Sequence, residues 1–192
     1  MVVLVRLFSK LVVKAKLCPD DWAILATVIA CTAGTVVTLY GIIPNGFGKD
    51  IWTIPFDKIT VFARFFYIGE IMYVTSISLL KLSLLLFYLG IFQTRGVRRL
   101  LWSSVVFNMV SGVIFALFTI FLCSPIDFEW DRWGGEHQGT CMNLNTLAWI
   151  HAAVSIVLDV WILAIPLSQL RTLNLHWKRK VGVALMFCVG TL

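Results

Sequence analysis

Charge is what this sequence has least of. Only 14% of its 192 residues are Asp, Glu, Lys or Arg, against about 25% in soluble domains. Hydrophobic residues make up 59%, and the mean hydropathy is +0.90. A water-soluble fold of this length has too little interior to hide so many apolar side chains, so that class is excluded. Catalytic signatures are missing too: the three histidines form no HExxH, and no P-loop, nucleotide-binding glycine fingerprint or Ser-His-Asp arrangement is found. The five cysteines include no CxxC pair, which removes zinc-ribbon and thioredoxin-like readings. No Asn-x-Ser/Thr sequon occurs. The expectation is therefore a non-enzyme without a metal or other cofactor.

What is present is a series of long apolar runs. Residues 22–43, 66–89, 100–122 and 146–168 each reach the roughly 20 residues that an α-helix needs to cross a bilayer. Pro44, Asn45, Gly46 and Gly48 break the first run, and a linker with Trp52 and Pro55 leads to the second. Residues 1–17 and 181–192 read as partial helices, each too short to span alone. Arg6 interrupts the first of these, and Arg6, Lys10 and Lys14 form one basic stripe rather than a secretory signal. The fold class expected is an all-α membrane protein. It is a polytopic helical bundle in one domain over residues 1–192, with four complete spans, and the chain reads as cut at both ends.

The excess positive charge, +6, is not spread as a nucleic-acid footprint. It alternates between loops. One set holds Arg6, Lys10, Lys14, Lys16, Arg95, Arg98, Arg99, Arg171, Lys178, Arg179 and Lys180. The other holds Lys49, Lys58, Arg64 and Arg132 beside six acidic residues. Cytoplasmic loops carry the Lys/Arg excess, so the first set and the N-terminal segment are expected in the cytoplasm. The bilayer is the first partner, and nucleic acid is not expected.

Several fragments resemble the fungal rhodopsin-domain integral membrane proteins, a seven-helix, receptor-like family. Asp20-Asp21-Trp22 resembles the opening of its second helix, and Gly46-Phe47-Gly48 its Gly-x-Gly loop. Residues 81–88, Lys-Leu-Ser-Leu-Leu-Leu-Phe-Tyr, followed by Ile91-Phe92, resemble its third-helix signature. Cys123-Ser124-Pro125, Trp130-Asp131 and Cys141 resemble its outer loop. Asp159-Val160 with Ile165-Pro166-Leu167 resembles its fifth helix, and Met186-Phe187 with Gly190 its sixth. Two positions depart from the pattern: Gly90 stands where the family carries a basic residue, and Lys49-Asp50 where a His commonly follows the Gly-x-Gly loop. The resemblance implies a receptor-like protein that senses through its outer loops and meets a cytoplasmic signalling protein. Association into a homo-oligomer is a further expectation. Two alternatives stand beside it: a non-signalling accessory or remnant protein tied to a secondary-metabolite pathway, and a transporter subunit.

Two constellations follow. On the resemblance and on chain entropy together, Cys123 and Cys141 are expected to bridge, closing a loop of about eighteen residues for roughly 3 kcal/mol. Lys81, Asn108 and Asp159 each lie eight or nine residues from the inner end of their spans, which puts them in one intramembrane polar layer. An ionisable group at that depth costs several kcal/mol unless paired or wetted. The layer reads either as a switch linking outer ligand to inner loops, or as a buried clamp with Lys81 reaching toward the inner interface. His151 and Glu70 read as cavity-lining or as interfacial polar residues.

Overall fold

The computed structural model describes residues 19–92, 94–131 and 139–172. The expected partial helices at 1–17 and 181–192 lie outside them. Helix α1 covers Pro19–Val36 and continues as one wide turn, Val37–Ile42, in which the Ile43 N–H donates to Thr38 O at 3.0 Å. Helix α2 covers Phe56–Ile91, α3 covers Arg95–Ile120, and α5 covers Leu144–Thr172. Between α3 and α5 lie a strand β1 (Cys123–Ser124), a one-turn helix α4 (Phe128–Asp131) and a strand β2 (Thr140–Cys141). Among the described residues four helices are long and apolar enough to cross a membrane. The chain is an all-α, multi-pass membrane protein.

Helix α2 begins well before the expected 66–89 span. Its 36 residues rise about 54 Å, against a hydrocarbon core of about 30 Å. Asp57, Lys58 and Arg64 make 56–65 look like linker in sequence, but Ile59 in that stretch is buried and the helix starts directly after Pro55. Helix α3 likewise starts within the basic turn, at Arg95. Asp21 sits in the first turn of α1 rather than ahead of it, and is buried. Asn143 caps α5: its side-chain oxygen accepts from the Asn145 N–H at 3.1 Å.

The compact units divide between Ala153 and Val154, within α5. In the first, α1 and α2 run antiparallel and approach through glycines. A Cβ at Gly34 would touch Met72, one at Gly69 would lie 3.2 Å from Ile42, and one at Gly41 would collide with the Phe65 ring. Helix α3 meets α2 along a stripe of Val97, Leu101, Ser104, Val105 and Asn108, a spacing of about one turn. Leu85 and Leu101 are fully enclosed. The linker after α1 turns at Gly46 and Gly48, with φ of 122° and 77°, where a side chain would be strained. In the second unit Leu158, Ile162 and Ile165 form a buried stripe, and Val157, Val160 and Trp161 are exposed. Outward-facing apolar side chains on all four helices suit lipid as solvent.

Candidate functional site: a disulfide-clamped loop and a buried polar cluster

The loop after α3 is folded by its own short sheet. Strands β1 and β2 pair antiparallel with Cys123 opposite Cys141, and the Met142 N–H donates to Leu122 O at 2.9 Å. The two sulfurs are bonded, with an S–S distance of 1.93 Å, so the bridge expected from sequence is present. Glu129 on α4 brings Oε2 within 2.6 Å of Cys123 Sγ, completing a Cys123–Glu129–Cys141 cluster. With both sulfurs in the disulfide, neither is a thiolate, and the cluster lacks the ligand form that metals bind. Gly139 allows β2 to close on α4, since a Cβ there would lie 2.6 Å from the Phe128 ring.

Helix α4 is joined to the membrane helices through Trp130. The Tyr67 ring on α2 meets Trp130 edge-on, at 5.8 Å between centroids. The Arg64 guanidinium, one turn earlier on α2, stands 5.1 Å from the Trp130 ring centroid. Tyr67 also donates its hydroxyl proton to Ile120 O at 2.9 Å. That oxygen belongs to the last turn of α3, where carbonyls lack intrahelical partners. One side chain thus touches the loop, α2 and α3. Half-buried Glu70, one turn further along α2, lies within electrostatic range of Glu129.

The second constellation lies deeper, between α2 and α3. Asn108 is 2% exposed, and its Nδ2 donates to Ser78 O at 3.0 Å. Ser78 Oγ donates to Val74 O at 3.2 Å, and Ser104 Oγ to Leu100 O at 2.9 Å. One turn from Asn108, Gly112 leaves room for Ser78: a Cβ there would lie 2.5 Å from its Oγ. Small residues let membrane helices approach this closely, and the interhelical hydrogen bond adds specificity. Lys81 follows Ser78 by one turn and is 6% exposed. A side chain on α2 leans back toward that helix's N-terminus, away from the turn joining α2 to α3. On that side His151 lies within electrostatic range of Lys81, its ring edge-on to Phe115 at 4.8 Å. Among the described residues no buried side-chain nitrogen or oxygen lacks a hydrogen-bond partner.

The structure therefore puts Lys81 and Asn108 on the α2–α3 stretch and adds Ser78, Gly112 and His151 around them. Asp159 stands on α5 in the second unit, where its side chain is exposed. Trp102 and Trp149 are exposed near helix ends, as interfacial residues are. Cys31 is a free, exposed thiol on α1. Sequence reasoning missed Tyr67, Arg64 and Gly112. Their residue types are ordinary, and only their partners single them out.

Residues 5–192 match the model of the fungal rhodopsin domain. The chain is similar to a SAT4 family membrane protein of Emericella nidulans, 27% identical over 153 residues, covering 76% of this chain and 38% of that protein. It is 30% identical over 120 residues to the satratoxin biosynthesis SC1 cluster protein 4 of Stachybotrys chartarum, covering 62% of this chain and 44% of that one. With receptor GIN3 of Arthrobotrys oligospora it shares 25% identity over 186 residues, 96% of this chain and 44% of the receptor. The chain thus spans less than half the length of these relatives. No solved structure matches it. By the family model, which runs through all four membrane helices and the disulfide-clamped loop, the chain belongs to the fungal rhodopsin domain family.

Proposed function

We propose that the chain is the sensing part of a receptor-like membrane protein, with the disulfide-clamped loop outside and the N-terminal segment and basic loops in the cytoplasm. The observation that carries this reading is the triple contact of Tyr67, which ties Trp130 of the loop to α2 and to the end of α3. A ligand that displaces α4 would pull on both helices at once. The movement would pass through Lys81 and Asn108 at the α2–α3 crossing to the arginine turn, where a cytoplasmic signalling protein would read it. The alternation of basic loops supports the orientation, and the likeness to a protein called a receptor supports the class.

The coupling can be tested without knowing the ligand. A membrane-impermeant reductant opens the Cys123–Cys141 bridge, and hydrogen exchange is followed at residues 123–131 and at 94–99. The receptor reading expects faster exchange at both segments, with the distant response lost in Lys81→Met and Asn108→Ala. A response confined to the outer loop would remove the basis for signal transmission. That result favours the second reading, an accessory membrane protein of a biosynthetic pathway, which the likeness to a satratoxin cluster protein supports.

A further inference from the structure

The first five residues of α3 contain Arg95, Arg98 and Arg99, all exposed. At about 100° per residue they fall on one stripe with Trp102, spaced i, i+3, i+4, i+7. The buried residues of α3, among them Val97, Leu101, Ser104 and Asn108, occupy the opposite side. Beyond Trp102 the stripe continues through Val106, Met109, Val110 and Val113, each an exposed apolar side chain. The three arginines therefore crown the face of α3 that turns away from α2.

Their position is electrostatically unfavourable for the helix itself. Cations at a helix N-terminus oppose its dipole, and the first-turn N–H groups need acceptors. The N-cap residue Thr94 makes no side-chain capping bond. No carboxylate partner for the three arginines is found among the described residues. Among the described residues, a Cβ at Gly90 or Gly96, on either side of the turn, would meet nothing within 4 Å. Trp102 marks the level of a membrane interface. Arg99 and Arg95 lie three and seven residues further along the axis, about 4–11 Å at 1.5 Å per residue. That is the depth of lipid headgroups, and an anion seated there would answer both the charge and the amides.

We propose that Arg95, Arg98 and Arg99 bind the headgroup phosphate of an anionic phospholipid whose acyl chains lie along the Trp102–Val113 stripe. The guanidinium fork matches phosphate oxygens bidentately, and the first-turn amides add donors. The apolar continuation beneath the arginines is what selects a lipid, because an acidic peptide would have no use for it. The site lies on the turn that the receptor reading gives to a cytoplasmic partner, but it is argued from α3 alone and holds whether or not the chain signals.

The test uses the full chain in nanodiscs of equal phosphatidylcholine and phosphatidic acid, with spin-labelled lipids of each class reporting occupancy at the protein surface. The native chain is expected to prefer the anionic lipid, and the preference should weaken as NaCl rises from about 0.05 to about 0.5 M. The triple variant Arg95→Gln, Arg98→Gln, Arg99→Gln is expected to lose roughly tenfold in that preference, and a triple lysine variant less. Helicity and formation of the Cys123–Cys141 bridge verify folding. If the triple variant does not fold, Arg95→Gln alone is read for a drop of roughly threefold. Equal occupancy by both lipids in the native chain would overturn the proposal, as would undiminished preference in the glutamine variants. Displacement of the lipid by soluble polyglutamate would overturn it too, assigning the patch to a protein partner.

Discussion

Gly112→Ala adds a single methyl group at the crossing of α2 and α3. The new Cβ would lie 2.5 Å from Ser78 Oγ and 2.9 Å from Ser78 Cβ. Comfortable non-bonded carbon contacts are about 3.5–4.0 Å, so the helices must part or Ser78 must move. Rotating Ser78 breaks its bond to Val74 O and clears the hydroxyl, but its Cβ is fixed to the backbone. Overpacking of this kind costs about 1–3 kcal/mol. Separation would also stretch the Asn108–Ser78 bond one turn away, an interaction class that averages about 0.6 kcal/mol in membranes. Alanine's better helix propensity returns about 1 kcal/mol. The net expectation is a loss of about 1–2 kcal/mol, read as helicity against SDS fraction in mixed micelles. Ser78→Gly removes both clashing atoms, so the double mutant should recover most of the loss, with a coupling of about 1 kcal/mol. A Gly112→Ala protein as stable as the native one, with no coupling to position 78, would refute the close approach.

Three further outcomes follow from the same geometry. Cys123→Ser with Cys141→Ser should cost roughly 3 kcal/mol by the chain-entropy estimate and should speed proteolytic cleavage within 123–141. Tyr67→Phe keeps the ring against Trp130 and loses the bond to Ile120 O, for about 1 kcal/mol in the SDS titration. Tyr67→Ala should cost about 1 kcal/mol more through the lost aromatic pair, and equal losses in both variants would show that the ring contact does not matter. Gly46→Ala should cost about 1–3 kcal/mol, since its φ is 122° and the Ile54 side chain occupies the space a Cβ needs. Gly48→Ala, with φ of 77° but open surroundings, should cost only about 1–2 kcal/mol in the same titration.

The membrane class and the four spans among the described residues were legible because they depend on local composition. A run of about twenty apolar residues identifies a span whatever it packs against. The helix ends were less so. Asp57, Lys58 and Arg64 mark polarity, and polarity at a membrane surface is compatible with either linker or helix; α2 extends through them because it outgrows the core and packs Ile59. The Cys123–Cys141 bridge was expected from resemblance and loop entropy, and the β1–β2 register places the two residues opposite each other. Lys81 and Asp159 could be singled out as costly ionisable groups, with Asn108 set beside them by depth, but depth counting supplies one coordinate only. Which helix faces they share depends on rotation about each axis.

By itself the sequence determined the solvent, the spans and the arginine-rich turn, because hydrophobicity, length and charge are properties of a segment alone. Only the tertiary structure decided that Tyr67 joins the disulfide-clamped loop to the end of α3, that Gly112 makes room for Ser78, and that the His151 ring meets Phe115 edge-on. Each of these is a pairing between helices distant in the chain. In a helix every face is available at a spacing of three or four residues, and the neighbour is chosen by packing that no single segment encodes.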